Sequence, residues 1–157
     1  MNVSSKASIF LTILFGLSAV VWLGGSIYVE GLMASANRTG DVSAVMGVFT
    51  KVAPTNRRLF NLAGIVVIVF GFGLVFEMGL EFEAIWISVA IVAAVLAIAI
   101  DLFYETPKGS KIVALVNANG PGDAEAAELA KKVAMFSHVR TLLLAIGLVM
   151  MIFKFGA

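Results

Sequence analysis

The ionisable and polar side chains that could do chemistry in this chain lie near the ends of long apolar stretches. They are Glu30, Arg57, Arg58, Asn61, Asp101, Tyr104, His138 and Arg140. A charge at the centre of a membrane helix costs about 2.5–3.5 kcal/mol on insertion scales, so residues of this kind are functional candidates. Charges near the ends of a span can also reach the headgroups or pair with one another, which makes anchoring the alternative interpretation.

Asp101 and His138 are the most informative of these residues, since Asp101 follows a long uncharged run and His138 is the only histidine. We expect both to face the interior of a helix bundle. A carboxylate there needs a cation, which predicts that Asp101 lies within pairing distance of Arg58 or Arg140. The imidazole could carry protons, bind haem iron or pack as a hydrogen-bonded side chain.

Several kinds of site are not indicated by the sequence. The chain contains no cysteine, which excludes disulfides and sulfur-ligated clusters. One histidine with a few scattered acids does not make a zinc or copper site, so we expect no metal centre. We find no nucleophile–base pair, no phosphate-binding glycine loop and no surface for nucleic acid. The sequence therefore offers no complete catalytic set, and whether the protein catalyses a reaction stays open.

Four apolar stretches must position these side chains, at about residues 8–29, 59–80, 84–104 and 135–155. Each has the roughly 20 residues that a helix needs to cross a bilayer. With 61% hydrophobic and 13% charged residues, the composition lies outside the range of soluble domains. We predict an all-α membrane fold, in which residues 1–157 form a single integral membrane domain built as a four-helix bundle.

The distribution of Lys and Arg predicts the orientation of the bundle. Residues 31–57 and 105–134, together with Arg58 at the edge of the first of these segments, hold 8 of the 11 basic residues. Positively charged loops stay in the cytoplasm, so we expect both termini and the acidic turn 77–83 outside an inner (plasma) membrane. The candidate residues then share the cytoplasmic leaflet. A cleavable signal peptide is the alternative for the N-terminus, although its apolar run is long for one.

The cytoplasmic connections also show helical patterns. Asp41 is a predicted N-cap for a short amphipathic helix that ends at Pro54. Its apolar residues, from Val42 to Val52, recur at helical spacing and would lie on the membrane surface. Residues 119–122 (Asn-Gly-Pro-Gly) predict a turn, followed by Asp123 as the N-cap of the last helix. Within the spans, Gly64 and Gly71 share one face and predict close helix packing.

Motifs along nearly the whole chain resemble one known family. They are Val21-Trp22-Leu23-Gly24-Gly25-Ser26, Gly40-Asp41, Trp86-Ile87 and Met150-Met151-Ile152-Phe153-Lys154. In order and spacing they resemble a family of bacterial integral membrane proteins of unknown function with four predicted helices. The resemblance implies fold and membrane location only.

A more distant resemblance is to the copper-resistance-D and HemJ-type membrane proteins, of which the latter are haem-dependent protoporphyrinogen oxidases. It rests on residues 22–25 (Trp-Leu-Gly-Gly) and on residues 138–144 (His-Val-Arg-Thr-Leu-Leu-Leu). The resemblance implies haem b with His138 as an axial ligand. Those proteins place a histidine about two turns before the tryptophan, where this chain has Phe15. A second axial ligand would have to be Met135, an open position, or His138 of a second copy.

Three functions remain from the sequence. We favour a membrane subunit or partner-binding bundle without an enzymatic role, whose partners are the lipid bilayer and a second copy or other membrane subunits. The second is a haem-binding redox protein. The third is an oligomeric transporter or channel that uses Glu30, Arg58, Asp101 and His138 as a relay.

Overall fold

The structure is a computed structural model that describes residues 3–77, 79 and 84–153, without the side chains of residues 3–5, 53, 56 and 57. Its helices are α1 Val3–Asn37, α2 Val42–Glu77, α3 Ile85–Ala99, α4 Thr106–Asn119 and α5 Ala124–Phe153. A π-helical turn, Ile100–Glu105, continues α3 into α4 without a break. No strand occurs among the described residues, and the predicted all-α class is confirmed.

Within the described residues, four helical segments are long and apolar enough to cross a membrane: Lys6–Asn37, Arg58–Glu77, Ile85–Asn119 and Ala124–Phe153. The number of spans agrees with the sequence, but the helices run past the predicted ends of the first and third spans. The lipid determines how long an apolar stretch must be, whereas the end of a helix is determined by its capping residues. Gly120, at φ 89°, ends α4 some fifteen residues beyond the predicted limit.

The predicted end of a helix at Pro54 is wrong, because α2 continues through this proline into the second span. A proline inside a helix removes one backbone hydrogen bond and crowds the carbonyl four residues earlier. Membrane proteins tolerate this where neighbouring groups compensate. Pro54 leaves the carbonyl of Thr50 without its usual donor, while the Thr50 hydroxyl donates to the carbonyls of Met46 and Gly47, at 3.0 and 3.2 Å.

The prediction that the apolar stripe of Val42–Val52 lies on the membrane surface is wrong, since Val45 and Met46 are buried and Phe49 packs against them. This stripe meets α4 and α5 at the end where α1 joins α2 and α4 joins α5, which we call the polar end. The buried residues there, the polar-end core, are Val45, Met46, Ile112, Ala126, Ala130 and Val133. The stripe avoids the membrane surface because these facing helices offer it apolar partners in a second core.

A separate cluster, the membrane core, lies further along the spans. Its buried residues are Trp22, Phe60, Ala63, Val67 and Ala97. Rings of α1 fit against the glycines of α2: a Cβ placed on Gly64 would lie 3.0 Å from Cζ2 of Trp22, and one on Gly71 would lie 3.2 Å from Cε2 of Phe15. The prediction that these two glycines share a packing face is confirmed.

The predicted caps at the polar end are confirmed. Asp41 Oδ1 accepts the backbone N–H of Ser43 at 2.8 Å, and Asp123 Oδ1 accepts that of Ala126 at 2.7 Å. Each cap satisfies one of the free N–H groups at a helix start. Of the opposite turn, Leu80 to Glu83 lie outside the described residues, as does Lys154 at the end of the last predicted span.

Candidate functional site

One face of α1 supplies three polar side chains at intervals of four residues: Trp22, Ser26 and Glu30. Trp22 and Ser26 are almost fully buried, with 1% and 0% of their surface exposed. The Ser26 hydroxyl donates to the Trp22 carbonyl at 2.7 Å, and Trp22 Nε1 donates to Asp101 Oδ2 at 3.1 Å. The indole therefore links α1 to the π-helical turn.

The π-helical turn places two carboxyl groups, Asp101 and Glu105, on the same side of the third span. Its wider ring is closed by the Thr106 N–H, which donates to the Asp101 carbonyl five residues earlier. π-Turns inside α-helices are rare and are frequent at functional sites. Here the turn directs both acids towards the guanidinium of Arg140 on α5.

Arg140 is the centre of the site, with only 3% of its surface exposed. Its Nη1 donates to Asp101 Oδ1 at 2.6 Å and to Glu105 Oε2 at 2.5 Å. Its Nη2 donates to the hydroxyls of Ser26 and Ser137, both at 3.2 Å. The Phe60 ring centroid lies 5.8 Å from the guanidinium carbon. We call Trp22, Ser26, Asp101, Glu105, Ser137 and Arg140 the Arg140 network.

The predicted pairing of Asp101 is thus confirmed, with Arg140 as the cation. Removing a charge from water costs several kcal/mol, and a buried ion is stable only with close partners. Asp101, which has 4% of its surface exposed, has two such partners in Arg140 and Trp22.

Glu30 and His138 form a second pair at the rim of the network. His138 Nδ1 lies 2.8 Å from Glu30 Oε2, and Thr141 donates to Glu30 Oε1 at 2.5 Å. Ser137 also donates to Glu30 Oε1, at 3.4 Å, and so joins this pair to Arg140. The His138 side chain is 66% exposed, so the prediction that it faces the interior is wrong. On α5 the inward positions are those of Ser137, Arg140 and Thr141.

The remaining predicted residues lie apart from the network. Asn61 donates to the Thr106 hydroxyl at 3.3 Å. The Tyr104 ring packs 4.0 Å from that of Phe136, between centroids, and borders the polar-end core. Arg58 is exposed, and the side chain of Arg57 lies outside the described structure.

Sequence reasoning missed Glu105, Ser137 and Thr141 as members of the site. Glu105 stands at the first position of a predicted loop, just beyond the predicted end of the third span. The available signal was spacing, since Glu105 follows Asp101 by four residues, and Ser137 precedes Arg140 by three residues and Thr141 by four. Trp22 and Ser26 were noted as family motifs, and the structure shows that both bond directly to the network.

A cavity of about 350 Å³ opens beside the network at the polar end. Glu30, Asp101, Glu105, His138 and Arg140 line its polar side. Among the buried polar atoms of the described residues, Glu105 Oε1, Arg140 Nε and Asn61 Oδ1 have no hydrogen-bond partner. The site can therefore accept or donate further hydrogen bonds. In the described part of the chain, no three His, Cys, Asp or Glu side chains are arranged to hold a metal ion.

Comparison with known proteins agrees with this architecture. A family model described as predicted integral membrane protein (DUF2269) matches residues 9–155, which include all four spans. The chain belongs to this family. The DUF2269 family has no established function, so membership implies an integral membrane protein and no particular chemistry. No curated protein and no solved structure matches the chain, and the copper-resistance-D and HemJ-type resemblance is not supported by a match.

Proposed function

We propose that this DUF2269 protein is a membrane subunit or partner-binding bundle without an enzymatic role, and that the outer face of α1 packs against another transmembrane helix. The observation that carries the proposal is the exposure of α1. In the most apolar stretch of α1 only 6% of the residues are buried, compared with 11% in the fourth span and 28% in the second and third. The outward residues recur at intervals of four and three: Ile13, Leu17, Val20, Gly24, Ile27 and Gly31.

The glycines on this face support a protein partner in addition to lipid. No atom lies within 4 Å of the position that a Cβ would take on Gly24 or Gly31. Glycine destabilises a helix by about 0.5–1 kcal/mol relative to alanine, so packing within the chain does not account for these two residues. Small residues allow a second membrane helix to approach closely, and intervals of four and three match left-handed packing.

Cysteine cross-linking tests this proposal, since the native chain has no cysteine. Leu17→Cys on α1 and Val95→Cys on α3 are matched, with side chains that are 61% and 46% exposed. Leu17 lies five residues before Trp22, and Val95 lies six residues before Asp101. Because Trp22 and Asp101 are hydrogen-bonded to each other, the two cysteines lie at a similar depth in the bundle. We expect oxidation in native membranes to cross-link the Leu17→Cys protein and leave the Val95→Cys protein monomeric.

The product identifies the partner, because a second copy gives twice the mass of the chain and another subunit gives a different mass. Gly24→Leu should abolish the cross-link by blocking close approach, without unfolding the bundle. Equal cross-linking from both positions, or none from Leu17→Cys at native expression, would contradict the proposal.

Orientation belongs to the same proposal: the polar end lies in the cytoplasm of an inner membrane and both termini lie outside. Its support is the concentration of basic residues at that end. Single cysteines replacing Lys108 or Lys131 should be protected from a membrane-impermeant maleimide in whole cells and react after permeabilisation. Labelling in intact cells would contradict this orientation.

A haem-binding redox protein is the second candidate, and one observation favours it. Glu30 holds Nδ1 of His138 at 2.8 Å, which leaves Nε2 for iron. A carboxylate on the other ring nitrogen commonly orients a metal-binding histidine. Met135, the suggested second ligand, is 58% exposed and does not line the cavity. A bound haem would supply one-electron chemistry.

The absorption spectrum of the purified protein tests this candidate. Protein expressed with ample haem should show a Soret band that shifts with dithionite and disappears in His138→Ala. A colourless protein, or a band that survives in His138→Ala, would exclude His138 as a haem ligand.

A further inference from the structure

The cavity at the polar end has a polar side and an apolar side. Glu30, Asp101, Glu105 and Arg140 form the polar side. The apolar part of the lining comes from Val29, Met33, Phe49, Phe60, Val113 and Val133. Its volume of about 350 Å³ falls within the range of small-molecule sites, which are mostly apolar with a few convergent polar groups.

The charges of the polar side disfavour an anionic ligand. Three carboxyl groups and one guanidinium line the cavity, in addition to His138 at its rim. Both terminal nitrogens of Arg140 already bond to Asp101, Glu105 and serine hydroxyls. An anion would therefore meet an excess of carboxyl groups without a free pair of guanidinium donors.

Glu105 provides the attachment point for a cation. Its Oε2 is bound by Arg140, while its Oε1 is buried without a partner. A buried carboxyl oxygen of this kind gains most from a charged donor. Glu30, in contrast, already receives bonds from Ser137 and Thr141 and lies against His138.

We propose that this cavity binds a primary ammonium group carried on an apolar body, with the Glu105 carboxyl group turning to present its unpartnered Oε1 to the ammonium and the apolar body lying against Phe49 and Phe60. The ammonium would complement the excess of carboxyl groups, and the apolar and aromatic walls suit an apolar body. A free amine and the headgroup of an ethanolamine phospholipid share this chemistry. The inference does not rest on the proposed partner binding of α1.

The test compares 2-phenylethylammonium with 2-phenylethanol, which has a similar shape and no charge. The full chain is placed in nanodiscs of phosphatidylglycerol, which has no amine, and binding is measured by saturation-transfer NMR and thermal shift. Losing a charge-assisted hydrogen bond weakens binding roughly tenfold or more, so we expect at least that preference for the amine. Glu105→Gln should abolish the preference, whereas Glu128→Gln, on the exposed surface of α5, should retain it.

A second variant keeps the test valid if Glu105→Gln does not fold. Ala134→Leu fills part of the cavity without replacing a charged group, and it should abolish binding of the amine. Equal binding of the amine and the alcohol, or unchanged amine binding in Ala134→Leu, would overturn the proposal.

Changing the lipid of the nanodisc shows whether the natural ligand is a free amine or an ethanolamine headgroup. If an ethanolamine headgroup is the ligand, nanodiscs of phosphatidylethanolamine should raise the melting temperature and compete with added 2-phenylethylammonium, and both effects should disappear in Ala134→Leu. If a free amine is the ligand, its affinity should be the same in both lipids.

Discussion

The two cores of this bundle are built in different ways. In the membrane core, rings of α1 and α2 fit against glycines of the facing helix: Phe15 against Gly71, Trp22 against Gly64 and Phe60 against Gly25. In the polar-end core, aliphatic side chains of α2, α4 and α5 pack together around Ile112, which is fully buried. The Arg140 network lies between them and bonds α1, the π-helical turn and α5 to one another.

The difference follows from the solvent. Lipid tails are as apolar as leucine, so helices in a bilayer associate through close fit and polar bonds in place of the hydrophobic effect. Where the polar end extends beyond the lipid, as the basic residues there lead us to propose, burial of apolar side chains from water becomes the driving force. We therefore expect mutations in the membrane core, the polar-end core and the Arg140 network to differ in how much they destabilise the protein and in which helices they affect.

Loss of Arg140 should have the largest effect. Arg140→Met leaves Asp101 and Glu105 buried without their cation, and breaking a buried ion pair costs roughly 3–5 kcal/mol. The free energy of unfolding, measured in mixed micelles, should fall by that amount. Arg58→Met, at an exposed position, is the matched control and should change little. A stable Arg140→Met protein would show that the network is not needed to join the two cores.

Truncation in the polar-end core should have the next largest effect. Ile112→Ala removes a fully buried side chain and should cost about 2–5 kcal/mol. Hydrogen exchange should accelerate in α4 and the first turns of α5, while the outer halves of the spans stay protected. Val42→Ala, at a 47% exposed position, is the control. Uniform acceleration along all spans would mean that the two cores unfold as one unit.

Adjacent glycines of α1 give a finer comparison within the membrane core. A Cβ on Gly25 would collide with the Phe60 ring, whereas one on Gly24 meets no atom within 4 Å. Gly25→Ala should therefore lower the free energy of unfolding by about 1–3 kcal/mol, and Gly24→Ala should not lower it. Phe60→Leu in the Gly25→Ala background should restore part of the loss. Equal effects at both positions would argue against ring-to-glycine packing.

The smallest effect concerns pH at the start of α5. Hydrogen bonds from the Ala126 N–H and the Asn119 side chain lower the pKa of Asp123 below its ordinary 3.8. Because the folded pKa is the lower one, the ionised cap stabilises the helix above the ordinary value, and this contribution is lost as the pH falls through the folded pKa.

Amide exchange at residues 124–127 checks this effect. At each pH, the exchange rate in the native protein is divided by the rate in the Asp123→Asn variant. Because the intrinsic rate of amide exchange changes with pH in both proteins, the ratio removes this dependence. Asparagine keeps a capping oxygen that does not titrate, so the ratio should rise as the pH falls. A ratio that does not change with pH would contradict the role of Asp123 as an ionised cap.

Much of the architecture followed from local sequence signals. Long apolar runs predicted four spans, Asp41 and Asp123 predicted helix starts, and Gly64 with Gly71 predicted a packing face. The need to neutralise a buried carboxylate predicted a cation beside Asp101. These features were predictable because each depends on the length of an apolar run, on a few consecutive residues or on the cost of an isolated charge.

The tertiary structure alone decided the rest. It carried α2 through Pro54, placed Val45 and Met46 in a second core, inserted the π-helical turn that brings Glu105 to Arg140, and left His138 largely exposed. Each of these outcomes depends on which side chains of distant helices face one another. Apolar partners across the bundle decide whether a stripe is buried, and a one-residue widening of a helical turn decides which carboxyl group reaches a guanidinium; neither is encoded in the local pattern.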